Sequence, residues 1–492
     1  MYLRAGVFSL GLLLLSRVLG LLRESVQAAA FGSSGMGDAV IVMFTLPDLL
    51  VGILASGALA YVLLPVWAQQ SPQAQAAGQK KTAYALLGGG LLLGALVWLY
   101  RIEVVQALAP GLVGDMKVAS ANALGWSAVV LPLAMLAALW VTRLQHERDF
   151  VGMYAGNLIV NLALVAGLFV VVNSVALVMP ALNLLGMCLV IAMLGRLAWL
   201  AWRLPAQPQS TAALQTTDLP RASVWLWAAL SSGLLLVFPL VARSLASSAG
   251  EGALASFNYA WKLIELPLVL AVQLVASLAF PAITRTEAGS PARQQAISLA
   301  FLIAWALACA AVAVVATFSL PIASLLFGWG RMSAASLEVI AQWSAIGVWS
   351  LLPQALMAVL LTVMATLGRM QAAVWVLATG LAVLLMAGGL GAFSGQTLMW
   401  LLNAVFASMA LVLMVIERRS IKASVPYFAA TVPLLVCAAL VAFKPVFLGL
   451  GIAATLVACA FYGLLVTGSA AAASPVLRQW VREKFCRKPI AI

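Results

Sequence analysis

The sequence predicts an all-α polytopic membrane protein. It places about fourteen transmembrane helices in two six-helix bundles related by pseudo-symmetry, followed by two C-terminal helices. Three observations lead there. The 492 residues are 64% hydrophobic and only 8% charged, against about 25% charged in soluble domains. The mean hydropathy is +1.09. Apolar runs long enough to cross a hydrocarbon core of about 30 Å recur from end to end. Barrel strands, which are short and alternate apolar with polar, do not fit such runs.

The expected spans lie near 5–31, 37–67, 82–100, 121–142, 150–172 and 174–202 in the first half. In the second half they lie near 222–247, 252–284, 295–318, 336–367, 370–393 and 396–416, with 425–443 and 446–468 after them. Between 203 and 221 the stretch "RLPAQPQSTAALQTTDLPR" is rich in Pro, Ser, Thr and Gln and has no apolar periodicity, so it reads as a linker. The expected organisation is therefore 1–203 as a first bundle, 204–221 as a cytoplasmic linker and 222–417 as a second bundle. Residues 418–470 form two added helices and 471–492 a basic cytoplasmic tail. No cleavable signal is expected, because the first apolar run is long and carries two arginines.

Charge sets the orientation. With the N-terminus inside, the inner stretches hold eighteen of the 27 basic residues, from Arg4, Lys80, Lys81, Arg143 and Arg148 to Arg478 and Arg482. The outer stretches hold Arg101, Lys117, Arg331 and Lys444. This is the asymmetry of the positive-inside rule, so both termini are expected in the cytoplasm. The net charge of +13 follows from that rule and is not read as nucleic-acid binding. The five cysteines are scattered, without a CxxC pair, and the one histidine, His146, sits in the polar "RLQHERD". Neither a disulfide, a metal site nor histidine acid–base chemistry is expected.

Five basic residues remain inside the spans: Arg17, Arg23, Arg196, Arg243 and Lys262. Arg196, in "LGRLAWLAWR" near an inner end, is expected to snorkel. Arg17 stands about 18 Å into its helix at 1.5 Å per residue, where a charge costs about 3 kcal/mol. Such a residue should face a bundle interior or a watery cavity. Arg17, Gly20 and Arg23 are spaced by three, so they share a face of about 120°. Two cations there flank a backbone without a side chain, which a bulky anion could approach closely. Glu24 is expected to temper the local field. A buried ion-pair network that only fixes helix packing is the alternative. In the second half, "FNYAWKLIELP" supplies Lys262 and Glu265 as i, i+3 neighbours that could pair. Arg243 lies near the outer end of its span, where an interface role is equally open.

The halves resemble each other. Each has a small-residue entry, a Leu-Pro step (Leu46–Pro47; Leu266–Pro267), an apolar stretch and a second proline (Pro65; Pro281) before a polar exit. The interval between the prolines differs by about one helical turn. This points to a parallel repeat about an axis along the membrane normal, with Pro47 and Pro267 as hinges and a central cavity between two bundles.

The stretch "SRVLGLLRES…FGSSGMGDAVIVMFTLPDLL…ASGALAYVLLPVWA" closely resembles the start of the MurJ/MviN family, lipid II flippases of the MOP superfamily. The family pattern is S-R-x-L-G-x-x-R-[DE], then F-G-x-G-x-x-x-D-A-F, then L-P-N-L-L-R-R. "FNYAWKLIELPLVLAVQLVASLAFPAITR" and "LLFGWGRMSAASLEVIAQWSAIGVWSLLPQALM" are similar to later family stretches, and the likeness extends to about residue 420. The resemblance implies a transporter, not an enzyme, that moves undecaprenyl-pyrophosphate-linked disaccharide pentapeptide from the inner to the outer leaflet of the bacterial cytoplasmic membrane by alternating access. It implies that Arg17, Arg23 and Gly20 contact the pyrophosphate, with Asp38, Lys262 and Glu265 in the cavity and Ser16, Glu24, Asp48 and Arg243 as further candidates. No cofactor or obligate protein partner is implied; membrane lipid is the other partner. Coupling would come from the membrane potential or an ion gradient, since no Walker A motif or soluble domain is present. The chain departs from the pattern at Asp48, where the family has Asn, at Val51–Gly52, where it has Arg-Arg, and at Lys262, usually arginine. Exopolysaccharide or O-antigen relatives often carry an Asn-Tyr-x-x-Lys stretch, so another polyprenyl-linked oligosaccharide is the alternative cargo. A drug or cation antiporter of the same superfamily is the more distant one.

Overall fold

A computed structural model describes residues 2–174, 178–205, 220–284, 286–287, 290–391, 394–418, 425–443 and 451–482. The protein is all-helical, at 89% helix, with no strand among the described residues. Most of the expected linker lies outside the described residues, as do Arg285, Arg419, Lys422, Lys444 and the tail residues Lys484, Cys486, Arg487 and Lys488.

Eleven helices among the described residues are long and apolar enough to cross a membrane. Three expected spans fall on other helices. These are Tyr2–Phe31 and Ala253–Thr284, parts of whose side chains lie outside the described residues, and Tyr427–Ala442, which has only 16 residues.

The chain divides into two compact units. The first is Met1–Ser256 with Phe327–Ser333; the second is Phe257–Leu326 with Ala334–Ile492. This division differs from the one expected at 204–221. The helix Ala222–Ser247 (α9) goes with the first unit because its small face packs on the second helix. There the Ser232 hydroxyl comes within 3.3 Å of the Ile53 carbonyl, and Gly57 is so close to Ser232 that a Cβ would collide with it.

In the first unit, α1 (Tyr2–Phe31), α2 (Gly35–Ile53), α6 (Gly114–His146), α7 (Phe150–Ser174) and α8 (Val178–Arg203) surround one apolar core. Val40, Met43, Val130, Ala134, Leu168, Leu182 and Leu185 are all within 3% of full burial there. Alanines and glycines let the helices close up, and Gly90 and Gly94 of α4 (Pro72–Leu99) lie against the Pro132 and Ala128 backbone of α6. Beyond Pro47, α2 passes into a π-helical turn, Leu54–Ala58, before α3 (Leu59–Trp67). The irregularity therefore sits a full turn or more past the proline expected to act as hinge. The Ser232 hydroxyl lies 3.3 Å from the Ile53 carbonyl beside this π turn and 2.9 Å from the Ala228 carbonyl of its own helix.

Between α6 and α7 the chain turns through Arg148, whose φ is +60°. Asp149 then caps α7, accepting from the Gly152 N–H at 3.0 Å, the N-cap geometry that carboxylates favour. Arg203, at the end of α8, holds the same carboxylate at 2.7 Å.

In the second unit, α10 (Ala253–Thr284), from Phe257 on, and α11 (Pro291–Phe327) precede α12 (Ala334–Gly347), α13 (Leu351–Thr366), α14 (Met370–Gly389) and α15 (Gly395–Ile416). Its helices approach through glycines. Gly347 faces Ile264 and Met399, Gly380 faces Met409, and Gly395 lies against the Trp343 ring. The Trp305 indole N–H donates to the Ala430 carbonyl at 2.9 Å, tying α11 to α16 (Tyr427–Ala442).

Candidate functional site

The site residues of α1 separate in the structure. Ser16 is buried and accepts a hydrogen bond from the Asn157 amide of α7 at 2.8 Å. One turn on, a Cβ at Gly20 would stand 3.9 Å from the Asn161 amide nitrogen. The Ser16 edge of α1 is therefore seated on α7, and Gly20 beside it stays half-buried. Arg17 lies on the neighbouring edge. It is exposed and forms no hydrogen bond or ion pair among the described residues. Arg23 is drawn inward, with its side chain 12% exposed. Its terminal nitrogen donates to Glu24 at 2.9 Å and reaches Asp48 at a longer 3.5 Å, and its guanidinium lies 5.6 Å from the Phe44 ring centre.

Arg23 lines a cavity of about 50 Å³ within the first unit, between α1, α2, α7 and α8. That space holds a few water molecules, at about 10–15 Å³ each on the same measure. Its polar wall is Arg23, Asp48, Asn157, Asn161 and Arg196, and Phe44, Pro47, Val51 and Leu189 are among its apolar lining. Asp48 is 62% exposed on its side chain, so the cavity opens beside it. Proline at 47 lies inside α2 and buried, which places it in the cavity wall.

Arg196, expected to snorkel, does not. It is 5% exposed and turned to the cavity, with a buried Nε that has no hydrogen-bond partner among the described residues. Asn157 and Asn161 also escaped the sequence reading. A usable signal existed: two amides four apart on an otherwise apolar span share one helix face, and polar groups inside a membrane are rarely idle.

Asp38 stands apart from this cavity. It is 1% exposed, and its two oxygens accept the backbone N–H groups of Gly252 and Ala255 at 2.8 and 2.7 Å. It thus caps the start of α10 in place of a local N-cap residue. Gly252 makes this approach feasible. Its φ is +79°, and a Cβ would collide with the Ser33 carbonyl. Gly330, at φ +60°, does the same against the Ala29 carbonyl, where the Arg331 N–H donates at 2.9 Å.

Arg243 is half-buried and donates to the Thr45 hydroxyl of α2 at 2.6 Å, so it bridges α9 and α2. In the second unit Lys262 and Glu265 form the expected i, i+3 ion pair at 2.9 Å, each about one-third exposed. Pro267 lies further along α10. Among the described residues no three of His, Cys, Asp and Glu gather where they could hold a metal ion.

The sequence profile of the family described as lipid II flippase MurJ matches residues 27–467. The chain belongs to the MurJ lipid II flippase family. A lipid II flippase MurJ of Burkholderia cenocepacia is 24% identical over 357 residues, 68% of this chain and 67% of that protein. A probable lipid II flippase MurJ of Rickettsia prowazekii is 32% identical over a shorter segment of 111 residues, 22% of each chain. Among solved structures, a lipid II flippase MurJ in an inward closed conformation aligns with a TM-score of 0.78 at 13% identity, covering 98% of this chain and all of that one. An inward-facing multidrug resistance MATE transporter of the MOP superfamily aligns with a TM-score of 0.63 over 83% of this chain and 95% of its own length. These two likenesses carry the fold. The MurJ family membership and the many apolar helices make the chain a multi-pass membrane protein.

Proposed function

We propose that the chain is a transporter that flips lipid II, the undecaprenyl-pyrophosphate-linked peptidoglycan precursor, from the inner to the outer leaflet of the cytoplasmic membrane by alternating access. The observation that carries this reading is the cavity where Arg23 and Arg196 meet inside an apolar helical unit, in a chain whose family profile is that of a lipid II flippase. A diphosphate must shed water to cross a bilayer, and fixed guanidinium donors replace that shell with charge-assisted hydrogen bonds. Arg17, exposed and without a protein counter-ion among the described residues, suits the approach of the same anion. Uphill transport then draws on the membrane potential or an ion gradient, and the loop charges favour an orientation with both termini in the cytoplasm.

Carriage of another polyprenyl-linked oligosaccharide is the second reading. It is favoured by Lys262 already paired with Glu265 and by Val51 in the cavity wall. A cationic cargo is disfavoured by the guanidinium lining. Depleting the protein and following lipid-linked precursors at the inner leaflet tests the assignment. Accumulation of lipid II is expected; accumulation of a different polyprenyl-linked glycan, with lipid II unchanged, would move the assignment to the second reading. A reporter fused at residue 210 should report the cytoplasm.

A further inference from the structure

The end of the second unit carries a basic surface that transport leaves unused. The helix Ile452–Ala473 (α17) is among those long and apolar enough to cross a membrane. Its 22 residues rise about 33 Å at 1.5 Å each, so its end meets the boundary of the hydrocarbon core. Ser474 then breaks the helix with extended backbone, at φ −118° and ψ 114°. Its hydroxyl accepts the Leu477 N–H at 3.2 Å, and Pro475 opens a second helix, Pro475–Val481 (α18). One residue therefore separates α18 from a membrane span. Leu477 is buried and Trp480 half-buried, whereas Arg478 and Arg482 are exposed. Arg478 donates to the Ala472 carbonyl at 2.6 Å, which holds α18 against the end of α17.

Arg478 and Arg482 are four apart and share a helix face. Like charges at that spacing repel and weaken a helix. α18 contains no acid, and neither arginine forms an ion pair among the described residues. The sequence continues through Glu483 to Lys484, Arg487 and Lys488, which makes five bases against one acid between 478 and 488. The positive-inside rule accounts for the side of the membrane on which such bases stay. It does not account for a folded helix that presents two of them together. An anionic surface beside the helix offsets their repulsion, and clustered bases directly after a span are what acidic headgroups attract. We propose that α18 docks its Arg478–Arg482 face on acidic phospholipid headgroups of the bilayer around α17, and so anchors the C-terminal helices of the second unit. The occupant is a lipid surface because headgroups are the anions nearest to a face one residue beyond a span. The anchor is independent of what the protein transports.

The test places the full chain in nanodiscs of phosphatidylcholine alone, or of phosphatidylcholine and phosphatidylglycerol in equal parts, and follows amide hydrogen exchange over 475–482. Both faces of a nanodisc meet the same buffer, so a preference for one side of a membrane contributes nothing. Exchange is expected to be roughly ten- to thirtyfold slower with phosphatidylglycerol, and the difference should fade at high salt. The double variant Arg478→Gln with Arg482→Gln should lose the lipid difference. Arg478→Lys with Arg482→Lys should keep most of it, because the attraction is to charge and not to the planar fork. Equal exchange of the wild type in the two lipids overturns the proposal. So does a lipid difference that survives in the glutamine variant. Faster exchange in both double variants, without any lipid difference in the wild type, reduces Arg478 to its bond with Ala472 and likewise overturns it. Slowing by added polyglutamate but not by phosphatidylglycerol assigns the face to an acidic protein, which overturns it too.

Discussion

The cation cavity in the first unit and the Lys262–Glu265 pair in the second settle their charges differently. Lys262 and Glu265 stand just before Leu266–Pro267 on one helix, whereas Arg23 and Glu24 lie on α1 and only the acid Asp48 follows Leu46–Pro47 on α2. In the second unit the two charges are i, i+3 neighbours on one helix, pair at 2.9 Å and keep about a third of their surface exposed. That pair forms within one turn. In the first unit Arg23 and Glu24 are adjacent, so only part of the charge is settled locally. Asp48 arrives from α2 and Arg196 from α8, and the field of Asp48 reaches both arginines. Charges that close within a helix report little about cargo; charges shared among several helices are the ones an incoming anion can compete for.

The largest effect that could break this contrast is on stability. Glu24→Ala removes the near partner of a buried guanidinium and is expected to cost about 3–5 kcal/mol, seen as low membrane abundance and a lowered Tm. Arg17→Ala removes an exposed cation that has no protein partner among the described residues. It should reach normal abundance and still fail to support precursor flipping. Loss of abundance in both variants would mean that the α1 arginines serve folding alone.

A smaller effect sharpens the account of the cavity. Asp48→Asn removes the acid at the opening, so an incoming diphosphate no longer competes with it for Arg23. Binding of undecaprenyl diphosphate should tighten severalfold, by about 1 kcal/mol for a partly exposed charge. Weaker binding would show that Asp48 assists the ligand.

On the other side of the comparison, Lys262→Gln should cost only about 1 kcal/mol, because an i, i+3 pair with a third of its surface in contact with solvent is partly screened. A penalty as large as that of Glu24→Ala would erase the distinction between the two units.

The smallest expected effect lies outside the membrane, at Asp149. Partial burial pushes its carboxyl up, but the hydrogen bond from Arg203, the Gly152 N–H and the charge of Arg203 outweigh that and hold it below the ordinary value. A depressed carboxyl stabilises the fold above the unfolded value of about 3.9. That contribution is lost as pH falls through the lower folded value. Wild type should therefore lose Tm on acidification below about pH 4 more steeply than Asp149→Asn, by less than about 1 kcal/mol. Parallel pH profiles would remove Asp149 from the account of the α6–α7 turn.

Much of the architecture was legible because bilayer thickness writes itself into composition. A run of about twenty apolar residues must be a helix whatever it packs against. The adjacency of Arg23 and Glu24 and the Lys262–Glu265 pair were legible too, because a helix fixes angular relations among its own residues. Angles alone do not give the surroundings of Arg17, Gly20 and Arg23: Arg17 is exposed, Gly20 half-buried and Arg23 enclosed.

By itself, then, the sequence determined that this chain crosses a membrane many times, where its helices run and that cations lie inside them. Tertiary structure alone decided that Asp38 caps a helix starting more than two hundred residues later. It alone placed the backbone irregularity at Leu54–Ala58 beside Ser232 and turned Arg196 inward to meet Arg23. The reason is physical. Helical periodicity relates residues a turn apart, while the identity of the facing helix depends on packing among many apolar surfaces that sequence makes nearly equivalent.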